Sequence, residues 1–346
     1  MTPQTLDVLL PFWGMAGGVI KVLDYTEHAA KLGIETTMWA PPRPDASDPV
    51  FTLPVLDRVL THEKVTVRPL DELSLHDGST VLFTEVGHHG LIEAAAPSAL
   101  GGRLIHLVQG TRHANPRWNS GVNYRLLHRP MTRIAVSDAV DAAIRPHLNG
   151  TYPCVTIPNG HDWHYFTGRP AMKPEDGPEL PRLRVLYTTW KSDLGPRIAQ
   201  RVASSTLSTS VSCIGVTTAL TWPALRNRYH GADVFICTPG PEEGFYLPGL
   251  EAMAAQTAVI SAIVGGNAEY VRPDENAIVV PYDDVDAHVA AIERLVTEPA
   301  LRERLVAAAP RVLESHTLDA ERASFADLLG TLDEVEYDFT HGAPHR

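Results

Sequence analysis

The chain has little cysteine. Cys154, Cys213 and Cys237 are its three, each in or beside an apolar strand-like run. An odd count without C-x-x-C or other metal spacing argues against a disulfide framework or a zinc site, so buried reduced thiols and no metal are expected. Long apolar runs are also missing: none approaches the roughly 18 residues of a membrane span. Met1 to Asp7 has neither the basic start nor the apolar core of a secretory signal, so a cytoplasmic location is expected. Positive charge is in deficit. A formal net charge of −12 disfavours nonspecific binding of nucleic acid, which needs a basic footprint. The pair Gly17-Gly18 is not a G-x-G-x-x-G fingerprint, which counts against a dinucleotide oxidoreductase.

One local absence runs against the average. No acidic residue stands between Glu93 and Asp138, yet Arg103, Arg112, Arg117, Arg125, Arg129 and Arg133 fall there, with His106, His113 and His128. The segment reads either as a solvated face paired with acids from elsewhere or as an electropositive wall for an anionic ligand. Peripheral docking on an anionic membrane is a third use, and not the favoured one.

Short apolar runs alternate with helix-like stretches through most of the 346 residues. Strands are expected at Leu6–Pro11, Glu35–Trp39, Val65–Val67, Val81–Thr84, Leu104–Val108, Arg133–Val136 and Cys154–Ile157. In the second half they are expected at Leu183–Tyr187, Val211–Ile214, Asp233–Ile236, Ala258–Ser261 and Ala277–Val280. A first helix runs from Gly18 to Leu32, with Ile20, Leu23 and Ala30 as its apolar face and Gly33 as its stop. Such alternation argues for parallel sheets covered on both faces. The stretch 167–181 is rich in Pro, Gly and charge and reads as a linker. The expected division is a domain over 1–166, the linker, a domain over 182–315, a terminal helix over 316–339 and a disordered tail over 340–346.

The most informative stretch is Glu242-Glu243-Gly244-Phe245-Tyr246-Leu247-Pro248-Gly249-Leu250-Glu251. Two carboxylates, Glu243 and Glu251, flank an aromatic turn. Pro248 suits the first helical position, which would put Glu251 in the first helical turn, where free N–H groups and the helix dipole favour anions. A ligand with hydroxyls and phosphates fits such a place, its hydroxyls on the carboxylates.

From Glu243 through Ala254, then Ala258–Ala262, then Gly265-Gly266-Asn267-Ala268-Glu269, the order of residues resembles the E-x7-E signature and following G-G-x-x-E of retaining family 4 glycosyltransferases. Ile157-Pro158-Asn159-Gly160-His161-Asp162 resembles the family's crossing between domains. The resemblance implies the α/β glycosyltransferase B (GT-B) fold, two Rossmann-like parallel-sheet domains facing a cleft. It implies a retaining, metal-independent glycosyltransferase that moves a sugar from a nucleotide diphosphate sugar to an unidentified acceptor, with no cofactor beyond that co-substrate. Carried over residue by residue, Glu243 contacts the donor sugar and Glu251 the ribose. The backbone of Gly244, Phe245, Tyr246 and Leu247 approaches the sugar and diphosphate, and Gly17 and Gly18 lie near the donor phosphates. Tyr246 stands where the family usually has Gly, which would narrow the donor pocket.

The chain departs from the pattern at Thr188-Thr189-Trp190-Lys191, where the family carries Arg, and at Leu194, where it carries Lys. A leaving diphosphate needs cations or dipoles, so Lys191 is expected to serve, helped by Thr188 and Thr189. Gln109, Thr111, Arg112 and His88 are acceptor-side candidates, and His113 is a candidate catalytic group able to hydrogen-bond a hydroxyl or help deprotonate an acceptor. Asp284-Val285-Asp286 reads as a helix cap rather than a metal motif. The altered cation motif keeps two alternatives open: a catalytically silent sugar-nucleotide-binding protein or partner subunit, or an epimerase or hydrolase on the same scaffold.

Overall fold

The computed structural model describes residues 2–96, 100–148, 153–168 and 183–332. Most of the expected linker lies outside the described residues, as do 333–339 of the expected terminal helix and the tail from 340. The chain divides into two compact units: residues through Asn159 together with those from Leu318 onward, and Gly160–Thr317.

Unit 1 alternates β1 (Thr5–Leu9), α1 (Gly17–Lys31), β2 (Glu35–Ala40), α2 (Pro54–Thr61), β3 (Val65–Pro69), β4 (Val81–Phe83), α3 (Val86–Ala95), β5 (Leu104–Val108), α4 (Val122–Leu126), β6 (Thr132–Ala135), α5 (Asp138–Ile144) and β7 (Cys154–Thr156). Its strands pair in parallel in the order β3-β2-β1-β4-β5-β6-β7. Central strands such as β4 and β5 are buried throughout, as a parallel sheet with two covered faces requires. Gly33 ends α1 as expected: it adopts φ +85°, and the N–H groups of Gly33 and Ile34 reach back to the carbonyls of Ala30 and Ala29. The helices α2 to α5 were not marked by the sequence pattern. Each spans ten residues or fewer, too short to repeat an apolar period convincingly.

Unit 2 contains β8 (Leu183–Thr188), α6 (Leu194–Ala203), β9 (Val211–Val216), α7 (Trp222–His230), β10 (Val234–Ile236), α8 (Leu247–Ala254), β11 (Ala258–Ser261), β12 (Ala277–Val279), α9 (Val285–Thr297) and α10 (Pro299–Leu313). The strands are parallel in the order β12-β11-β10-β8-β9. The unit begins at Gly160 rather than after residue 166. Packing is the reason: the Phe166 ring lies 5.1 Å from Trp222 and 5.6 Å from Tyr229, and its carbonyl is 2.7 Å from His230 Nε2. The Asp284 carboxylate caps α9 by accepting from the Ala287 N–H at 2.9 Å, and Asp286 pairs with Arg201, so the D-x-D triplet is spent on structure.

The final described helix, α11 (Leu318–Thr331), packs on α1 within unit 1. Phe325 meets Tyr25 edge-on at 4.8 Å. Beneath them lies a buried ionic cluster: Lys21 Nζ is 2.8 Å from Asp24 Oδ2 and 2.7 Å from Glu321 Oε2, and His28 Nε2 is 2.8 Å from the same Glu321 oxygen. Burial alone would lower the Lys21 ammonium, but Asp24 and Glu321 outweigh it and hold its pKa above the ordinary value. The apolar face expected for α1, Ile20, Leu23 and Ala30, is therefore only a part of what the helix buries.

Arg133 corrects the reading of the arginine-rich stretch as a continuous cationic wall. Its side chain is fully buried, and its guanidinium donates to the carbonyls of Leu126, Leu127, Arg129 and Met131 at 2.9–3.1 Å. It closes the turn before β6 instead of facing a ligand.

Candidate functional site

Strand order reverses between β8 and β10 in unit 2 and between β1 and β4 in unit 1. Open α/β sheets bind ligands outside the carboxyl ends of their strands at such switch points. The sequence candidates fall at both.

In unit 2, Lys191 follows β8 and Glu243 follows β10. Lys191 Nζ lies 3.2 Å from Glu243 Oε2, so one cation and one carboxylate meet across the switch point. Glu243 is 9% exposed, enough to face a ligand without being loose. Gly265, at φ +47°, sits against the Glu243 carbonyl so closely that a Cβ there would overlap it, and the Gly266 N–H donates to that carbonyl at 3.4 Å. Asn267 pins this support, donating to Ser261 Oγ and the Ala262 carbonyl while accepting from the Val264 N–H. The Gly-Gly-x-x-Glu motif thus shapes the backbone on which Glu243 stands.

Three expectations change here. First, α8 begins at Leu247 and has no acidic residue in its first turn, so Glu251 lies past it. Its carboxylate, 3% exposed, accepts from the Tyr229 hydroxyl at 2.7 Å and stands 3.2 Å from His161 Nε2. An ionised carboxylate has about four acceptor sites, so the Tyr229 hydroxyl orients it, with His161 close by, and capacity is left for a ligand hydroxyl. Second, Tyr246 does not fill the space before the helix. It is buried, its hydroxyl 3.2 Å from Thr188 Oγ1 and 3.4 Å from the Thr238 N–H, and its carbonyl accepts from Tyr270 at 2.7 Å. Third, the hydroxyls expected to help Lys191 have inner partners: Thr188 shares Tyr246 and Thr238, and Thr189 Oγ1 donates to the Val216 carbonyl at 3.4 Å. Leu194, where the family carries Lys, is in the core. Gly244, Phe245 and Leu247 are buried, with the Phe245 ring 5.5 Å from Tyr270 and 5.3 Å from His316. Sequence reading missed Tyr229 and His161 as partners of Glu251. Only the place of His161 in the Ile157–Asp162 crossing motif could have pointed to the second.

In unit 1, Gly17 opens α1, and the Gln109 amide donates to the Gly18 carbonyl at 3.1 Å and to Thr84 Oγ1 at 2.9 Å. A Cβ on Gly18 would stand 3.3 Å from Gln109 Oε1, so the second glycine is what lets the amide approach. Gln109 therefore ties the ends of β4 and β5 to the start of α1. Thr111, Arg112 and His113 lie on the turn Thr111–Ala114 after β5, with the Arg112 guanidinium 4.9 Å from the Trp118 ring centroid. His113 is buried. The Asn119 amide donates to Asn123 Oδ1 at 3.2 Å, which turns Asn123 Nδ2 toward His113 Nδ1 at 3.4 Å. That chain leaves the His113 proton on Nε2, making the ring a hydrogen-bond donor rather than a base. His88 lies in the first turn of α3.

Burial pushes His88 down to about 4, and burial followed by the Arg112 charge pushes His113 down to about 3. Both rings are neutral in the folded state well below the unfolded value near 6.5, so the unfolded chain binds more protons in between. Stability is then fully present above pH 6.5 and falls as pH drops toward 4. At about 1.4 kcal/mol per unit, His88 alone accounts for roughly 3 kcal/mol. Denaturant unfolding of His88→Gln is expected to lose much of this acid sensitivity; an unchanged pH profile would show that His88 does not carry it.

Two parallel α/β sheets, each with its candidates at a switch point, define the glycosyltransferase B class of fold. Solved structures agree on the fold: sucrose-phosphate synthase of Thermosynechococcus elongatus is similar at TM-score 0.67 and 17% identity, covering 96% of this chain and all of that one. HepE of Anabaena, solved in complex with UDP and glucose, is similar at TM-score 0.66 and 14% identity, covering 94% of this chain and all of that one. Residues 214–312 match the family model described as glycosyl transferases group 1. The family 4 resemblance carried by Glu243–Glu269 is consistent with it. A D-inositol 3-phosphate glycosyltransferase of Rhodococcus opacus is 34% identical over 122 residues, 34% of this chain and 26% of the relative. A lipopolysaccharide core mannosyltransferase of Rhizobium leguminosarum is 28% identical over 189 residues, 52% of this chain and 49% of the relative. The chain thus spans about a quarter of the length of the first of these and half of the second. Among the described residues no helix is long and apolar enough to cross a membrane.

Proposed function

We propose that the protein is a retaining, metal-independent glycosyltransferase that takes a nucleotide diphosphate sugar as donor and requires no further cofactor. The observation that carries this is the Lys191–Glu243 pair across the switch point of unit 2, beside the oriented Glu251. Glu243 accepts hydroxyls of the donor sugar, Glu251 those of the ribose, and Lys191 turns from Glu243 to the leaving diphosphate as charge develops there. The similarity to a D-inositol 3-phosphate glycosyltransferase and a lipopolysaccharide core biosynthesis mannosyltransferase, and the UDP held by a similar structure, support this class of donor. The Gln109 amide oxygen, as a hydrogen-bond acceptor, and the His113 Nε2–H, as a donor, are the acceptor-side groups; both Gln109 N–H groups are taken by Gly18 and Thr84. Thermal shift against a panel of sugar nucleotides identifies the donor, since a bound ligand raises apparent stability by mass action. An acceptor product of inverted anomeric configuration would overturn the retaining assignment.

Lys191→Ala is expected to lower turnover about tenfold to a hundredfold with the donor so found, since a charged contact of this kind contributes about 1.5–3 kcal/mol. Unchanged turnover removes Lys191 from the mechanism. Leu194 in the core and Thr189 on the Val216 carbonyl leave Lys191 as the cation of that loop before Arg197, which pairs with Asp283 and Asp193. That thin cation set favours, as a second reading, a sugar-nucleotide-binding protein without turnover. Calorimetric binding of the donor with neither transfer nor hydrolysis would select it.

A further inference from the structure

Unit 1 holds a cavity of about 440 Å³ that none of the groups discussed so far lines. It opens at the carboxyl ends of β2 and β3, beside the switch point rather than at it. Its walls include Trp13, Arg43, Arg68, Asp71 and Glu72. The volume is within the range of small-molecule sites.

The two arginines are held in a particular way. Trp13 Nε1 donates to the Pro41 carbonyl at 2.8 Å, and the Arg43 guanidinium lies 5.7 Å from the centroid of that fixed indole. Trp39 Nε1 donates to buried Asp7 at 2.8 Å, and the Arg68 guanidinium lies 6.0 Å from its centroid. Each cation rests on an indole that is itself pinned. Among the described residues neither guanidinium makes a close ion pair with a carboxylate, although the Arg68 charge reaches buried Asp7 beneath Trp39. A guanidinium placed over a ring keeps the outer edge of its fork for a planar or tetrahedral oxyanion. The carboxylates of Asp71 and Glu72 are exposed in the same cavity and can accept only hydroxyl or N–H donors.

We propose that this cavity is a binding subsite for a small polyol bearing an oxyanion: the anion on Arg43 and Arg68, the hydroxyls on Asp71 and Glu72. A purely anionic ligand leaves the two carboxylates opposing it, and a neutral sugar leaves the two cations unused. Service of that molecule as an acceptor would rest on the glycosyl transfer proposed above; its binding does not.

Calorimetry on the full chain with glucose 6-phosphate, glucuronate and glucose tests this. At least one of the two anions is expected to bind, and to bind more tightly than glucose. Which anion binds tells phosphate from carboxylate. Arg43→Ala and Arg68→Ala are each expected to weaken that binding about tenfold or more. Should alanine at position 68 unfold unit 1, Arg68→Lys, which keeps charge but loses the fork, gives the same reading. Binding of glucose as tight as either anion, binding of none of the three, or anion binding unchanged in the double variant overturns the proposal. Because no turnover is read, these outcomes are independent of whether unit 2 transfers a sugar.

Discussion

Replacing Lys21 by alanine is expected to destabilise unit 1 by about 3–5 kcal/mol, the cost of removing one partner from a buried ionic group. Lys21 lies between Asp24 and Glu321 with its side chain almost fully enclosed. Without it, two carboxylates share a dry site, with His28 Nε2 as the remaining close partner of Glu321. Nothing comparable follows from the exposed pair Lys64–Glu35, whose charges stay in contact with water and gain little from meeting. The measurement is guanidinium unfolding of the full chain, with the transition of unit 1 moving and that of unit 2 staying. A companion variant separates charge from packing. Replacing Lys21, Asp24 and Glu321 together by apolar residues of similar size should recover most of the loss, since buried ion networks often break even against a packed apolar cluster. If Lys21→Ala leaves unfolding unchanged, the cluster does not hold α11 onto α1.

This cluster also shows where sequence reading runs out. Lys21, Asp24 and His28 sit on a helix whose apolar residues already supply one face, so they read as an ordinary wet side. Their partner, Glu321, is 300 positions away from Lys21, and no local pattern connects them. The same holds at the site. The Glu243–Glu251 spacing, the glycines that open α1 and the Gly265-Gly266 turn were legible because each works through the local backbone. Glu251's orientation was not, because it depends on Tyr229 from α7 and His161 from the start of unit 2. The strands were legible within one or two residues because parallel strands buried on both faces are short unbroken apolar runs. Tyr187 marks a limit even there. The sequence reading ends its strand at that ring, but β8 continues to Thr188 and pairs through Val216, with Tyr187 seated against Gly195 and Gly215, which have no Cβ to displace it. Arg133 failed for a different reason: charge in a sequence window does not say whether a guanidinium faces water or carbonyls.

The largest expected effect on activity comes from Glu243. Glu243→Gln keeps the shape of the side chain and removes its charge. Under the proposed function it should lower kcat/KM by about 10–100-fold, corresponding to a charged hydrogen bond of roughly 1.5–3 kcal/mol to the donor sugar. Glutamine also loses the ion pair with Lys191, so the loss alone does not separate sugar contact from loop order. Gly265→Ala does. Position 265 requires φ +47°, and a Cβ there overlaps the Glu243 carbonyl, so the loop carrying Glu243 has to move while its carboxylate and Lys191 remain. A geometric role for Glu243 predicts a comparable fall in kcat/KM from this neighbour that carries no chemistry. It further predicts that the double variant is little worse than either single one, because both remove the same contact. Gly240→Ala in the same loop, with open space at its Cβ and no positive φ, should leave kcat/KM as it was. Wild-type kcat/KM in Gly265→Ala, or full additivity with Glu243→Gln, would mean that the position of Glu243 is not what the reaction uses.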